Sequence, residues 1–140
     1  MTKVTGQLKE NFAFESNIDG HKVTTDATEA VGGKNTGPSP KKLLLAGLIG
    51  CTGIDVVSIL KKMRVEPTNL IIEAEAESSN EHPKVYTSIN LSFIFTGDNL
   101  PMDKLEKAVS LSQERYCAVA AMLKKASPIE YKILLEESAS

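Results

Sequence analysis

Apolar and polar residues alternate between Leu70 and Glu77. Leu70, Ile72, Ala74 and Ala76 fall on one side, and Ile71, Glu73, Glu75 and Glu77 on the other. A period of two with one wet face predicts a half-buried β-strand. The alternation resumes through Val85, Thr87, Ile89, Leu91, Phe93 and Phe95, with Glu81-His82-Pro83-Lys84 as the turn between the strands and Gly97-Asp98-Asn99 as the end. A last alternation at Ile129, Tyr131, Ile133 and Leu135 predicts a strand after the helix breaker Pro128, followed by a loose tail, EESAS. Near the N-terminus Phe12 and Phe14 share parity, and Asp19-Gly20 signals a hairpin leading into Val23 and Thr25. Gly32 and Gly33 then open a loop, GGKNTGPSP.

Helical signals separate these strands. Ser39 is a capping residue and Pro40 suits the first helical position, where its missing N–H is not needed. A helix is predicted from Pro40 to about Met63, with Lys61, Lys62 and Arg64 near its C-terminal end, where cations complement the dipole. Lys41 and Lys42 in the first turn run against that preference. Pro67 stops any continuation. A second helix starts near Pro101, with Leu105, Ala108, Val109 and Ser112 as its buried stripe. A shorter one runs from about Cys117 to Ala126. The order is strands, long helix, two strands, helix, short helix, strand, an α+β class in a single domain over residues 1–140.

The long helix sets the main question. Leu43 to Leu60 is almost long enough to cross a bilayer. Asp55 lies within it, with three glycines, a Thr and a Ser, and lysine pairs flank both ends. A carboxylate in mid-span is costly in lipid, so a core helix is expected. A helix apolar all round needs more wall than one small sheet offers, which predicts a dimer. The N-terminal MTKVTGQLKENF has no apolar signal region, so the expected setting is cytoplasmic, without membrane contact. A net charge of −2 with scattered lysines gives no basic stripe for nucleic acid.

Few side chains here carry chemistry. His21 and His82 are isolated in turns without metal-ligand spacing, and GGKNTG lacks the lysine ending of a phosphate loop, so neither a metal nor a cofactor is expected. The cysteines are the stronger candidates. Cys51 sits mid-helix between Gly50 and Gly53, whose small size permits close approach. Cys117 falls at the start of the short helix, where the dipole lowers a thiol pKa, and Arg115 is near in sequence. Asp55, one turn after Cys51, disfavours a neighbouring thiolate and needs a partner if buried. Either cysteine alone reads equally as a small buried apolar residue.

The segments GPSPKKLLLAGLIGCTGIDVVSILKKMRV and EKAVSLSQERYCAVAAMLKKA, with the GGK loop and the strand EHPKVYTSINLSFIF, resemble the small OsmC-like branch of the OsmC/Ohr family. The resemblance implies an OsmC-like fold, with curved antiparallel sheets around a long central helix in an intertwined homodimer. It also implies thiol-dependent reduction of organic hydroperoxides in an apolar pocket. In that chemistry Cys51 is the peroxidatic thiol, Cys117 the resolving thiol, and an external dithiol the reductant. The sequence departs from the peroxidase pattern in three places. No arginine precedes residue 64; Lys41 and Lys42 stand where a glutamate is usual; and Ala118 replaces a common proline. A non-enzymatic dimer holding a small apolar ligand, or an assembly subunit with inert thiols, are the alternatives. The peroxidase reading requires the two thiols to lie close enough to bridge.

Overall fold

The computed structural model describes residues 1–137 and forms two compact units, Met1–Ala46 and the chain from Gly47 onward. Most of the predicted EESAS tail lies outside the described residues.

In the first unit, β1 (Thr5–Glu10), β2 (Ala13–Ile18) and β3 (His21–Thr25) form an antiparallel meander. The Asp19-Gly20 hairpin is present. Ile18 pairs with His21, and both turn residues have positive φ, 52° and 87°. That is the backbone twist of a two-residue type I′ turn. Phe12 departs from its predicted strand position: Glu10 pairs with Ala13, so Asn11 and Phe12 make the β1–β2 turn.

The glycine-rich loop is organised by an aspartate. Asp26, buried at the end of β3, accepts hydrogen bonds from the backbone N–H of Ala27 (2.7 Å), Lys34 (3.3 Å) and Thr36 (3.0 Å) and from Thr36 Oγ1 (2.7 Å). The loop amides of Lys34 and Thr36 face a carboxylate rather than a phosphate. Gly33 has its own reason to be glycine, since a Cβ there would lie 2.1 Å from the Ala27 carbonyl oxygen.

Helix α1 (Pro40–Lys62) ends within a residue of its predicted limit. Its last turn closes through Arg64, at φ 60°, with the Val65 N–H donating to the Leu60 carbonyl. Leu48, Thr52, Val56 and Leu60, one stripe four residues apart, are buried. Leu44 (48% exposed), Ile54 (73%) and Val57 (46%) are not. The expectation of a helix buried all round is therefore not met within one chain. The stretch Lys42–Lys62 is long and apolar enough to cross a membrane by length and composition alone.

The second sheet is β4 (Asn69–Ser78), β5 (Tyr86–Thr96) and β6 (Ile129–Glu136), in that order. β4 and β5 pair antiparallel with Leu70 opposite Phe95, Ile72 opposite Phe93 and Ala74 opposite Leu91. Ile89, Leu91, Phe93 and Phe95 are all but completely buried. Across β4 and β5 the predicted parity fails only at the start of β5. A bulge sets Glu77 against Ser88 and Ser78 against Tyr86, leaving Thr87 unpaired, so Tyr86 is buried and Val85 exposed. β6 corrects the expectation of purely antiparallel sheets, because it runs parallel to β5. A parallel neighbour needs a long crossover, and here that crossover carries the second cysteine. It comprises α2 (Met102–Leu111), a π-helical turn (Ser112–Tyr116) and α3 (Ala118–Leu123). Leu105, Ala108, Val109 and Ser112 are buried, as their spacing predicts.

Candidate functional site

Cys51 reaches the site from the middle of α1, and Asp55 follows one helical turn later on the same face. Cys117 arrives from the crossover. The π-helical turn ends when the Cys117 N–H donates to the Ser112 carbonyl at 2.8 Å, and Cys117 becomes the residue capping α3. A single-turn π-helix inside a helical segment often marks a functional position. The two sulfurs and an Asp55 carboxylate oxygen all lie within 4.8 Å of one another, and both thiols are free. Cys117 is 3% exposed, whereas Cys51 and Asp55 are half-buried.

Each group is held from behind. The Thr52 hydroxyl donates to Cys117 Sγ at 3.4 Å, and the Ala120 N–H donates to it at 3.3 Å. Gln113 Nε2 donates in turn to Thr52 Oγ1 at 2.9 Å, forming a chain of two donors that ends on the sulfur. Lys124 Nζ donates to the Gln113 carbonyl. Gln113 Oε1 is buried without a partner. Asp55 finds the partner its position required: Ser112 Oγ donates to its Oδ2 at 3.0 Å. Ser112 thus holds two members of the site, Cys117 through its carbonyl and Asp55 through its hydroxyl.

The electrostatics differ from the sequence expectation at Cys117. A cap position was expected to lower the thiol pKa. Instead burial pushes it up, against the hydrogen bonds from Thr52 and Ala120, and the nearby Cys51 adds to the rise. A six-residue helix offers too little dipole to overcome desolvation at a fully enclosed sulfur. Arg115 does not supply the missing cation. It is exposed, and no hydrogen bond or ion pair joins it to the thiols. Lys34, in the glycine-rich loop, pairs with Glu10 at 3.5 Å.

Thr52, Gln113 and Ser112 were not legible as site residues. Thr52 and Ser112 sit at helical core spacing and read as small packing residues. An open apolar groove is lined by Gly53, Ile54, Val57 and Ser58, all of α1, and neither cysteine borders it.

Comparison with known proteins covers both cysteines. Residues 33–132 match the family described as OsmC-like protein. Protein YhfA of Escherichia coli K12 is 39% identical over 112 residues, which is 80% of this chain and 81% of YhfA. A hypothetical protein from Aquifex aeolicus VF5, known from its crystal structure, is 31% identical and superposes with a TM-score of 0.82, covering 97% of this chain and 98% of its own. At 15% identity, the organic hydroperoxide resistance protein OsmC of Legionella pneumophila superposes with a TM-score of 0.69 over 96% of each chain, a likeness of fold alone. From the glycine-rich loop through the dithiol site to the last strand, this chain belongs to the OsmC-like protein family.

Proposed function

We propose that the chain reduces organic hydroperoxides through Cys51 and Cys117. The observation that carries the reading is the meeting of two free thiols, one half-buried and one enclosed, whose sulfurs lie within 4.8 Å. A disulfide needs the sulfurs to close to about 2.05 Å, with the Cα atoms no more than about 7 Å apart. A structural neighbour called an organic hydroperoxide resistance protein supports the theme.

The difference in exposure supports a division of roles. Cys51 is the thiol a substrate can reach, and its thiolate attacks the distal peroxide oxygen. The O–O bond breaks, the alcohol leaves, and Cys51 becomes a sulfenic acid. Cys117 then attacks the Cys51 sulfur, water leaves, and a disulfide closes. An external dithiol restores both thiols and is itself oxidised to a disulfide. Asp55 serves as the proton carrier. Taking the Cys51 proton leaves one negative charge on the pair rather than two, so the carboxylate need not oppose thiolate formation. Ser112 keeps Asp55 Oδ2 in place while the proton passes to the leaving oxygen.

The exposed apolar side of α1, with Leu44, Ile54 and Val57, supports a homodimer in which a second copy covers that side. A cytoplasmic setting goes with this reading. The second reading, a dimer that binds an apolar ligand without turnover, draws on the same face and on the absence of arginine before residue 64.

The test is consumption of cumene hydroperoxide under excess dithiol. Turnover is expected in the wild type and abolished in Cys51→Ser. Cys117→Ser is expected to stall after one turnover unless a small thiol rescues it. Rates no better than free thiol in all three proteins would overturn the peroxidase reading and leave the binding dimer.

A further inference from the structure

Among the described residues, three groups that can each carry a negative charge meet at this site without a paired cation. Asp55 is held by a hydroxyl, and no lysine, arginine or histidine lies within ion-pair distance of it among the described residues. Two thiols share its space. Protons can balance that charge, and so can a metal ion. We propose that the reduced site binds one thiophilic divalent cation of zinc type. Its ligands are Cys51 Sγ, Cys117 Sγ and an Asp55 carboxylate oxygen, with water in the fourth position. The sequence, with no ligand spacing around its histidines, gave no expectation of a metal.

The geometry fits. Zinc–sulfur bonds near 2.3 Å and zinc–oxygen bonds near 2.1 Å put the donors of a tetrahedral centre about 3.6–3.8 Å apart. The three donor atoms are already within 4.8 Å of one another, so they need close by about 1.2 Å at most. Their support suits a metal as well. Thr52 and Ala120 donate to the Cys117 sulfur, and Ser112 orients the Asp55 carboxylate, the kind of outer hydrogen bonding that fixes metal ligands. The half-buried Cys51 and Asp55 give the ion its way in. A single cysteine, or Cys51 and Asp55 alone, would not make the site; the crossover supplies the third donor.

Binding needs the three donors and no turnover, so the proposal stands apart from the peroxidase reading. It does exclude the disulfide. When an organic hydroperoxide takes two electrons from the metal-bound thiolates, the S–S bond forms and the O–O bond breaks. With two protons from solvent, the products are alcohol, water and free cation.

The experiment is titration of the metal-stripped, reduced full chain with Co²⁺, followed by displacement with Zn²⁺ in competition with a chromogenic chelator. One Co²⁺ per chain is expected, with intense tetrahedral d–d bands and charge transfer from two thiolates. Cys51→Ser and Cys117→Ser should each halve the charge-transfer intensity. Asp55→Asn should keep both sulfur bands while weakening affinity by at least about tenfold. The wild-type disulfide form, a control that needs no variant, should bind nothing. No saturable binding to the reduced protein overturns the proposal. So does binding that persists in the disulfide form or in the Cys51→Ser/Cys117→Ser double variant. The hydroperoxide assay is run metal-free, so each proposal fails on its own readout.

Discussion

Two aspartates, Asp26 and Asp55, show how a carboxylate becomes part of a scaffold or part of a site. Asp26 accepts three backbone amides and a hydroxyl, all from the loop it organises. Those hydrogen bonds, led by the Thr36 hydroxyl, hold its carboxyl below the usual range. Nothing is left for a ligand. Among the described residues Asp55 accepts a single hydroxyl, from Ser112, and lies beside two sulfurs. Its hydrogen-bonding capacity is unfilled, and its neighbours are the most reactive atoms in the chain. Saturation marks the structural carboxylate, and spare capacity beside a nucleophile marks the functional one.

The comparison breaks most sharply in activity. Asp55→Asn removes the proton carrier and should lower hydroperoxide turnover by about 10²–10⁴-fold, the range for one general acid–base group. Asp26→Asn should leave the rate per folded molecule within a small factor of wild type. Steady-state rates for both variants under the same dithiol decide the matter. Equal losses would show that Asp55 acts through the fold as Asp26 does.

Stability should show the reverse order. Asp26→Ala leaves the N–H groups of Ala27, Lys34 and Thr36 without their acceptor and should lower the melting temperature more than Asp55→Asn does. The pH dependence has a defined sign. The folded-state pKa of Asp26 is lowered, so its contribution is full above the unfolded carboxylate value and lost as pH falls through the lowered one. The gap in melting temperature between wild type and Asp26→Ala should therefore be widest near neutrality and close in strong acid. A gap that does not depend on pH would mean that packing, not charge, holds the loop.

The enclosed thiol titrates at the other end of the scale. Burial raises the Cys117 pKa in the folded state, so this thiol favours the fold while protonated. That contribution is present below the unfolded thiol pKa and lost as pH rises through the raised one. Reduced wild type should lose stability in that alkaline window, and Cys117→Ser should lose less. Thermal unfolding in excess reductant, followed upward from neutral pH, measures the difference.

How much of this was legible beforehand depended on whether a feature is local. The limits of α1 follow from Ser39-Pro40 and Pro67, and the buried stripe of α2 follows from spacing at Leu105, Ala108, Val109 and Ser112. Each is fixed by neighbours within a turn or two. The meeting of Cys51 with Cys117 was implied only by the resemblance, since no spacing relates residues brought together by a crossover. The π-helical turn at Ser112–Tyr116 left no trace in the pattern, because Ser112 still falls on the α-helical stripe. The bulge at Thr87 was hidden for a similar reason: Val85 and Tyr86 are both apolar enough to face inward, and only the pairing of β4 decides between them. Asp26 left no signal in the sequence pattern, because its role depends on amides up to ten positions away.

The smallest effect tests the site from behind. Thr52 carries no proton to substrate, yet its hydroxyl accepts from Gln113 and donates to Cys117. Thr52→Val keeps the shape and removes both bonds, which should cost about 0.5–1.5 kcal/mol for a net hydrogen bond, more if Gln113 Nε2 is left unpaired. The hydroxyl lowers the Cys117 pKa, so its removal should move that thiol further up and slow disulfide closure at neutral pH. The first step, at Cys51, should be nearly unchanged. Rapid mixing of reduced protein with hydroperoxide separates sulfenic acid formation from its decay. A slower second phase with an unaltered first would assign Thr52 to the resolving thiol alone. Equal slowing of both would mean that the sulfurs are coupled too tightly for either to be tuned separately, and that the contrast with the self-contained Asp26 loop extends to the whole dithiol site.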